Sequence, residues 1–583
     1  MTGMNLSRVI DVHSAYNSFL SGFLSLYNEC CPTVSKKIKV RNCHKPWITP
    51  GILTSVKKKN NLYKKWLKKR TDISLSKYKR YKNKLTDVMR RAEKLYYENR
   101  FVELKNDAKN TWKLIKSVIN GNKPTSESIS ELSINGCTIT DKTTMANKFN
   151  EYFTNIGSDL SKSIPKVSGS FSDYLNHLKP TDSFFITPTN PAEIIDIVQN
   201  LKSKKSSGYD DVHPSVVKAV IPLIAQPLAE LFNESLSTGI FPDNLKIAKV
   251  IPTFKNDDKK NMNNYRPISV LPIFSKILEK IMYNRLLNYL ETNNLLTDKQ
   301  YGFRGNHSTY MAIIELIDKI SEDLDNKKFS LGIFVDLSKA FDTINHEILL
   351  GKLDHYGVRG IAKKWFQSYL SNRFQFVQLE DHKSDKLLIK CGVPQGSILG
   401  PLLFLIYIND IATVSDILNT IMFADDTNLF ASDVSLTNLF DKTNRELSKI
   451  STWFKVNKLS LNIKKTSFIL FRPRNKLVNG DLGIKIDNVK IERVEKTKFL
   501  GVIINQTLTW NDHIHMIKQK IVKNTGIILR IRKQMPLSVL SSLYQTLIQP
   551  YFNYCNIVWC MDQTVVLNDL FLRQKSHTYY NWL

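Results

Sequence analysis

Between about Phe184 and Ile504 the chain alternates segments of helical spacing with segments rich in β-branched and aromatic residues. Ile268–Leu290 (ISVLPIFSKILEKIMYNRLLNYL) sets Ile277 over Ile281 and Leu278 over Met282, four apart, as an amphipathic helix requires. Phe329–Leu337 (FSLGIFVDL) reads as a buried strand. Thr420–Ala431 (TIMFADDTNLFA) is two apolar runs broken by a polar centre, the pattern of a β-hairpin. Lys465–Phe471 (KTSFILF) is a further strand. Helices mixed with antiparallel strands predict an α+β fold. On either side the pattern is helical. Val56–Ser117 lacks Pro and Gly, which predicts long helices, and Ile517–Met535 is a basic helical stretch. Asn120–Ser128 (NGNKPTSES) reads as a linker, and no internal repeat or low-complexity tract stands out.

Composition adds a partner class. The 583 residues allow three or four structural units at roughly 100–200 residues each. Hydrophobic residues make up 42%, which excludes wholesale disorder. Lys and Arg total 83 against 53 acidic residues, a formal charge of +30 that favours a polyanion over a membrane surface or mere solubility. Lys57–Arg70 (KKKNNLYKKWLKKR) and Lys77–Leu85 (KYKRYKNKL) concentrate that charge, with Tyr63, Trp66, Tyr78 and Tyr81 placed to stack on bases or to pack the helices. Seven scattered cysteines, Cys30, Cys31 and Cys43 beside His44 among them, lack paired CxxC spacing and read as free or buried thiols. With no signal-like N-terminus and no apolar run long enough to span a bilayer, the expected setting is intracellular (nucleus or cytoplasm), with no membrane partner.

The sharpest chemical signal is Asp425-Asp426, two adjacent acids at the tip of the apolar hairpin. Carboxylates this close repel one another, and a hard divalent cation resolves the repulsion. Asp210-Asp211 and Asp257-Asp258 are also adjacent, but lie in polar surroundings where solvated turn residues are the plain reading. A third acid is needed from elsewhere, and Asp336 ends the run Ile333-Phe334-Val335, where an unpaired carboxylate would be costly. Two metals about 3.5–4 Å apart would serve phosphoryl transfer by activating the attacking hydroxyl and stabilising the leaving group. Mg²⁺ and Mn²⁺ both suit such oxygen donors.

Three blocks occur in order: Phe334–His346 (FVDLSKAFDTINH), Gly392–Phe404 (GVPQGSILGPLLF) and Phe423–Asp426 (FADD). Their spacing resembles motifs A, B and C of reverse transcriptases from non-LTR, LINE-type retrotransposons near the jockey and CR1 groups. Lys246–Ile281 looks like the fingers motifs, Gln300–Thr309 (QYGFRGNHST) like the segment before motif A, Asn457–Thr466 like motif D, and Lys498–Asn505 like motif E. The likeness runs from about Lys45 to about Cys560.

This resemblance implies a right-hand polymerase of fingers, palm and thumb with an antiparallel palm sheet. It divides the chain into a basic, mainly helical extension (1–125), a linker and start of the fingers (126–234), fingers and palm (235–505), and a helical thumb-like region read as truncated (506–583). The implied activity is RNA-directed DNA polymerisation, with an RNA template, a DNA primer or target, dNTPs and Mg²⁺ or Mn²⁺. Asp336, Asp425 and Asp426 match the catalytic, metal-binding aspartates. Phe341 matches the gate that excludes a ribose 2′-hydroxyl, with an ordinary core Phe as the plain alternative. Gln395 and Gly396 match motif B residues near template and nucleotide. Arg266 matches the triphosphate-gripping arginine, Lys255 is a second triphosphate candidate, and Lys465 matches the motif D lysine, a proton donor to pyrophosphate. Residues before Lys45 are too few for the endonuclease that begins the family's complete proteins, so the chain reads as a truncated element without target cleavage. An RNA-copying RNA polymerase is disfavoured by Phe341, and a group II intron maturase by the motif B block. A non-catalytic nucleic-acid-binding remnant would not need all three aspartates.

Overall fold

The computed structural model describes residues 11–32, 45–104, 107–120, 129–134, 136–175, 180, 182–202, 206–473, 475–476, 478, 483–532 and 535–560. Cys43, His44, most of the expected linker and the C-terminal tail fall outside these residues. The chain divides into two compact units: Met1–Pro32, Ser128–Gly501 and Asn505–Leu508 form the larger, and Thr33–Glu127, Val502–Ile504 and Thr509–Leu583 the smaller.

The larger unit is a mixture of helices and two main sheets. One five-stranded sheet runs in the order Glu492–Arg493, Ser467–Phe471, Phe329–Val335, Asp426–Asp433, Asn419–Phe423. Its central strand, Phe329–Val335, is antiparallel to both neighbours. That strand is buried along almost its whole length, which is why its sequence is an unbroken apolar run. Leu331 and Ile333 join a core with Phe274 and Ile277 of helix Ile273–Thr292, Leu403 and Ile406 of helix Leu399–Ile408, and Leu447 and Trp453 of helix Leu436–Val456. The second sheet pairs Tyr265–Val270 with Ala248–Phe254, then in parallel with Arg373–Leu379. Helix Lys142–Ser163 covers it, packing Phe149 and Phe153 around Val250, Tyr265 and Val377.

Two sequence expectations are corrected here. The helix expected from Ile268 begins at Ile273, because Pro267 and Pro272 favour extended backbone and Ile268–Val270 complete a strand instead. It is also not two-faced: Ile277, Leu278, Glu279, Ile281 and Met282 are all buried. Second, helix Pro214–Thr238 is long and apolar enough to cross a membrane by composition. Here Val217, Ile221, Ile224, Leu228 and Phe232 sit in the larger unit's core. The N-terminal helix Val12–Cys30 packs there too, through Tyr16, Leu20 and Phe23.

A buried ion pair ties three helices together. The Lys352 ammonium donates to the Asp410 carboxylate and to the Tyr407 carbonyl, and the Trp453 indole donates to Asp410 at 2.9 Å. Burial pushes the Lys352 pKa down, and Asp410 opposes that shift.

The smaller unit is helical. Pro50–Lys69 and Asp72–Glu103 form a helical hairpin turning at Arg70, whose backbone is left-handed. Its aromatics face one another: Trp66 stacks on Tyr78 at 6.4 Å and Tyr63 lies 5.2 Å from Tyr78. Lys64, Lys65, Lys68 and Lys69 remain exposed. Helix Ala108–Asn120 packs on Asn511–Ile531, which in turn packs on Leu537–Leu547. Segments far apart in sequence thus build one unit.

Candidate active site

The hairpin register brings the acids together. Thr427 pairs with Val335 and Asp426 with Phe423, leaving Ala424-Asp425 as a two-residue turn. Continuing that register by one residue sets Asp426 opposite Asp336, which follows directly on the central strand. Asp336 is held from the motif D side. Its backbone N–H donates to Thr466 Oγ1 at 3.2 Å, and Asn462 Nδ2 donates to its Oδ2 at 2.9 Å. Burial pushes the Asp426 carboxyl up to about 6, reinforced by the negative charges of Asp425 and Asp336 and opposed by Lys255. Asp426 is nevertheless exposed at the surface, as is Asp425. Among the described residues no three His, Cys, Asp or Glu side chains close into a ready ligand cage. The three aspartates do fit a hard divalent cation: their donors are all carboxylate oxygens, and the repulsion registered at Asp426 is the kind a cation relieves.

The other adjacent pairs behave differently from each other. Asp258 accepts the Lys260 N–H at 3.0 Å in an exposed turn, as expected. Asp210 is not a solvated turn residue: burial pushes its carboxyl up to about 6, and its Oδ2 has no hydrogen-bond partner. The loop folds towards Tyr16, whose own pKa Asp210 helps to raise.

Lys255 opposes the charge of Asp426, and Lys255, Arg266 and Lys465 all lie near Lys339. Arg266 is exposed on strand Tyr265–Val270 opposite Thr253, and the Lys255 N–H donates to the Asn264 carbonyl at 2.9 Å. Lys465 begins the turn into strand Ser467–Phe471, its N–H donating to Asn462 O at 3.0 Å. Lys339, not singled out from sequence, lies among them. Its backbone is left-handed (φ 51°) and its ammonium donates to the carbonyls of Asn263 at 3.5 Å and Tyr265 at 3.3 Å. Burial lowers the Lys339 pKa, Asp342 opposes this, and Lys255, Arg266 and Lys465 add to it. These four basic groups therefore share one electrostatic neighbourhood. Only the motif A block itself could have pointed to Lys339.

Phe341 is half-buried, stacked at 4.6 Å on buried Phe404 and edge-on to Phe303 at 6.3 Å. It thus packs on the core with one face while its rim stays open. Gln395 Nε2 donates to both oxygens of Asp342, at 2.8 and 2.9 Å. Burial pushes the Asp342 carboxyl up to about 6, with Gln395 and Lys339 opposing. Gly396, at φ +130°, approaches the backbone of Ser269 so closely that a Cβ would lie 2.4 Å from its carbonyl oxygen. The glycine is therefore required by its contact with strand Tyr265–Val270. Sequence reasoning also missed Glu279, fully buried, whose Oε2 accepts the N–H groups of Ile398 at 2.6 Å and Leu399 at 3.4 Å. It caps helix Leu399–Ile408, which begins within the motif B block.

A hairpin bearing two acids thus lies beside a strand-end acid, with Lys255 close enough to oppose their charge. Residues 257–504 match the family model for reverse transcriptase (RNA-dependent DNA polymerase), which bears out the resemblance drawn from the motifs. The chain is similar to the probable RNA-directed DNA polymerase from transposon BS of Drosophila melanogaster, at 27% identity over 64% of this chain and 42% of the relative. It is also similar to the RNA-directed DNA polymerase from mobile element jockey of the same species, at 26% over 62% of this chain and 40% of the relative. A third relative is the retrovirus-related Pol polyprotein from type-1 retrotransposable element R1 of Bradysia coprophila, at 26% over 63% and 37%. The chain spans about two-fifths of the length of the curated relatives it matches.

Proposed function

We propose that this chain is an RNA-directed DNA polymerase of a non-LTR retrotransposon, extending a primer 3′-hydroxyl with dNTPs on an RNA template. The observation that carries the reading is the register that sets Asp426 against Asp336 beside Asp425, with Lys255 opposing their charge. In this reading the acid-bearing sheet is the palm and the sheet holding Arg266 belongs to the fingers. The helices after Asn511 belong to the thumb, and the basic helical hairpin is an extension that contacts phosphates. Asp336, Asp425 and Asp426 hold the metal ions, Mg²⁺ or Mn²⁺. When bound, these activate the primer hydroxyl and stabilise the leaving pyrophosphate.

The chain's own residues do the rest. Arg266 and Lys255 grip the triphosphate, and a planar guanidinium suits its paired oxygens. Phe341 closes the space a ribose 2′-hydroxyl would need. Gln395, fixed by Asp342, and Gly396 border the template and the incoming nucleotide. Lys465 supplies a proton to the pyrophosphate. Since the barrier is lowered by positioning and electrostatics, loss of a carboxylate is expected to cost most of the rate. The test is dTTP incorporation on poly(rA)/oligo(dT) with Mg²⁺, wild type beside Asp425→Ala. Incorporation by the wild type alone is expected. Equal incorporation by both would overturn the metal site, and no incorporation by either would overturn the activity.

A further inference from the structure

The turn that carries Asp425 is not held by its own hairpin alone. Ala424 has a left-handed backbone (φ 56°), a conformation that residues with a Cβ avoid. Two-residue hairpin turns call for positive φ, but usually place Gly or Asn there, so an Ala in that position costs energy that contacts from outside the hairpin can offset. Gln300 supplies such contacts. Its Oε1 accepts the Ala424 N–H at 2.9 Å and the Gly302 N–H at 2.7 Å, and its Nε2 donates to the Ala424 carbonyl at 3.3 Å. The side chain is 3% exposed, so water does not replace these bonds. The backbone around it is bound to the same hairpin. The Tyr301 N–H donates to Met422 O at 2.8 Å, and the Met422 N–H donates to Lys299 O at 2.8 Å. Gly302 completes the contact: a Cβ there would stand 2.2 Å from Ala424 N and 3.0 Å from its Cα.

We infer that Gln300 is a positioning residue for the Asp425 carboxylate, clamping both backbone groups of Ala424 so that the acid is aimed at the metal ions before they bind. This rests on the proposed metal site. Gln300 touches no substrate and acts only through the turn. Partners that orient metal ligands typically affect affinity by about 10–100-fold.

The probe is Mn²⁺ alone, titrated into the full chain and followed by the electron paramagnetic resonance of the free ion, so no turnover is required. Gln300→Leu keeps the bulk and removes all three hydrogen bonds. It is expected to weaken Mn²⁺ binding about tenfold or more. Gly302→Ala pushes on the same turn with Gln300 intact and is expected to weaken binding in the same direction. Should Gln300→Leu fail to fold, Gly302→Ala carries the test. Lys352→Met, which breaks a buried pair elsewhere, measures the effect of general destabilisation and is expected to leave Mn²⁺ affinity unchanged. Wild-type affinity in both turn variants would overturn the inference, as would an equal loss in Lys352→Met. Binding weakened by Asp425→Ala but by neither turn variant would sink this inference alone. Binding indifferent to Asp425→Ala would sink the metal site and this inference together.

Discussion

Phe341 rests one face on Phe404, and that support fixes where its rim lies. If Phe341 borders the nucleotide sugar as proposed, truncation to Ala empties that space without removing a polar group. Phe341→Ala is expected to admit rNTPs, reducing sugar discrimination on the order of tens-fold, the scale of shape selection in a pocket. Competing dTTP and rUTP incorporation measures it, and unchanged discrimination would leave Phe341 as a packing residue. Asp342 makes a different prediction. Its folded pKa is raised from 3.8 to about 6, so the fold favours its protonated form. The resulting stabilisation is full below about pH 4 and is lost as pH rises through about 6. Asp342→Asn should therefore gain stability relative to wild type as pH rises from about 4 to about 6, as read by urea unfolding. A gap that stays constant with pH would refute that burial. The three aspartates were legible because each interrupts an apolar run that otherwise explains itself. Lys339, Asp342 and Gln300 were not, because what makes each of them matter is a partner supplied by a distant segment.

Among elements, the helix that begins in motif B shows how one side chain sets another element's position. Glu279 leaves helix Ile273–Thr292 to meet the N-terminal N–H groups of Leu399–Ile408. Arg373, itself buried, helps to keep it charged while burial pulls the other way. Glu279→Leu strands those donors and is expected to cost about 1–3 kcal/mol per unsatisfied group, whereas Glu279→Gln keeps an acceptor and should cost less. Urea unfolding of the two variants gives the order, and equal losses would show that the helix end does not depend on this acceptor. The strands and the hairpin were readable from period and composition. The start of helix Ile273–Thr292 was not, because Ile268–Val270 satisfy either pattern until the neighbouring strand Ala248–Phe254 claims their backbone.

The whole molecule carries a charge of +30, and part of it is displayed on the helical hairpin as exposed Lys64, Lys65, Lys68 and Lys69. Tyr63, Trp66 and Tyr78 face one another, which favours the packing reading for those three over base stacking. Replacing those four lysines with Gln should lower RNA affinity and flatten its salt dependence, by roughly 0.7 in log–log slope for each phosphate no longer neutralised. An unchanged slope would take the hairpin out of the RNA interface. No sequence pattern announced that the basic helices share a unit with the C-terminal ones, since helical periodicity carries no information about which distant helix fills a groove.

That shared unit has a consequence for biosynthesis. Helix Ala108–Asn120 leaves the ribosome long before its packing partner Asn511–Ile531 has been translated. At about 5–20 residues per second the wait is on the order of tens of seconds, and the whole larger unit can fold within it. The apolar face of Ala108–Asn120 must meanwhile be kept from other surfaces. A nascent chain stalled before Asn511 should present that apolar face to chaperones, and synthesis of Asn511–Ile531 would cover it.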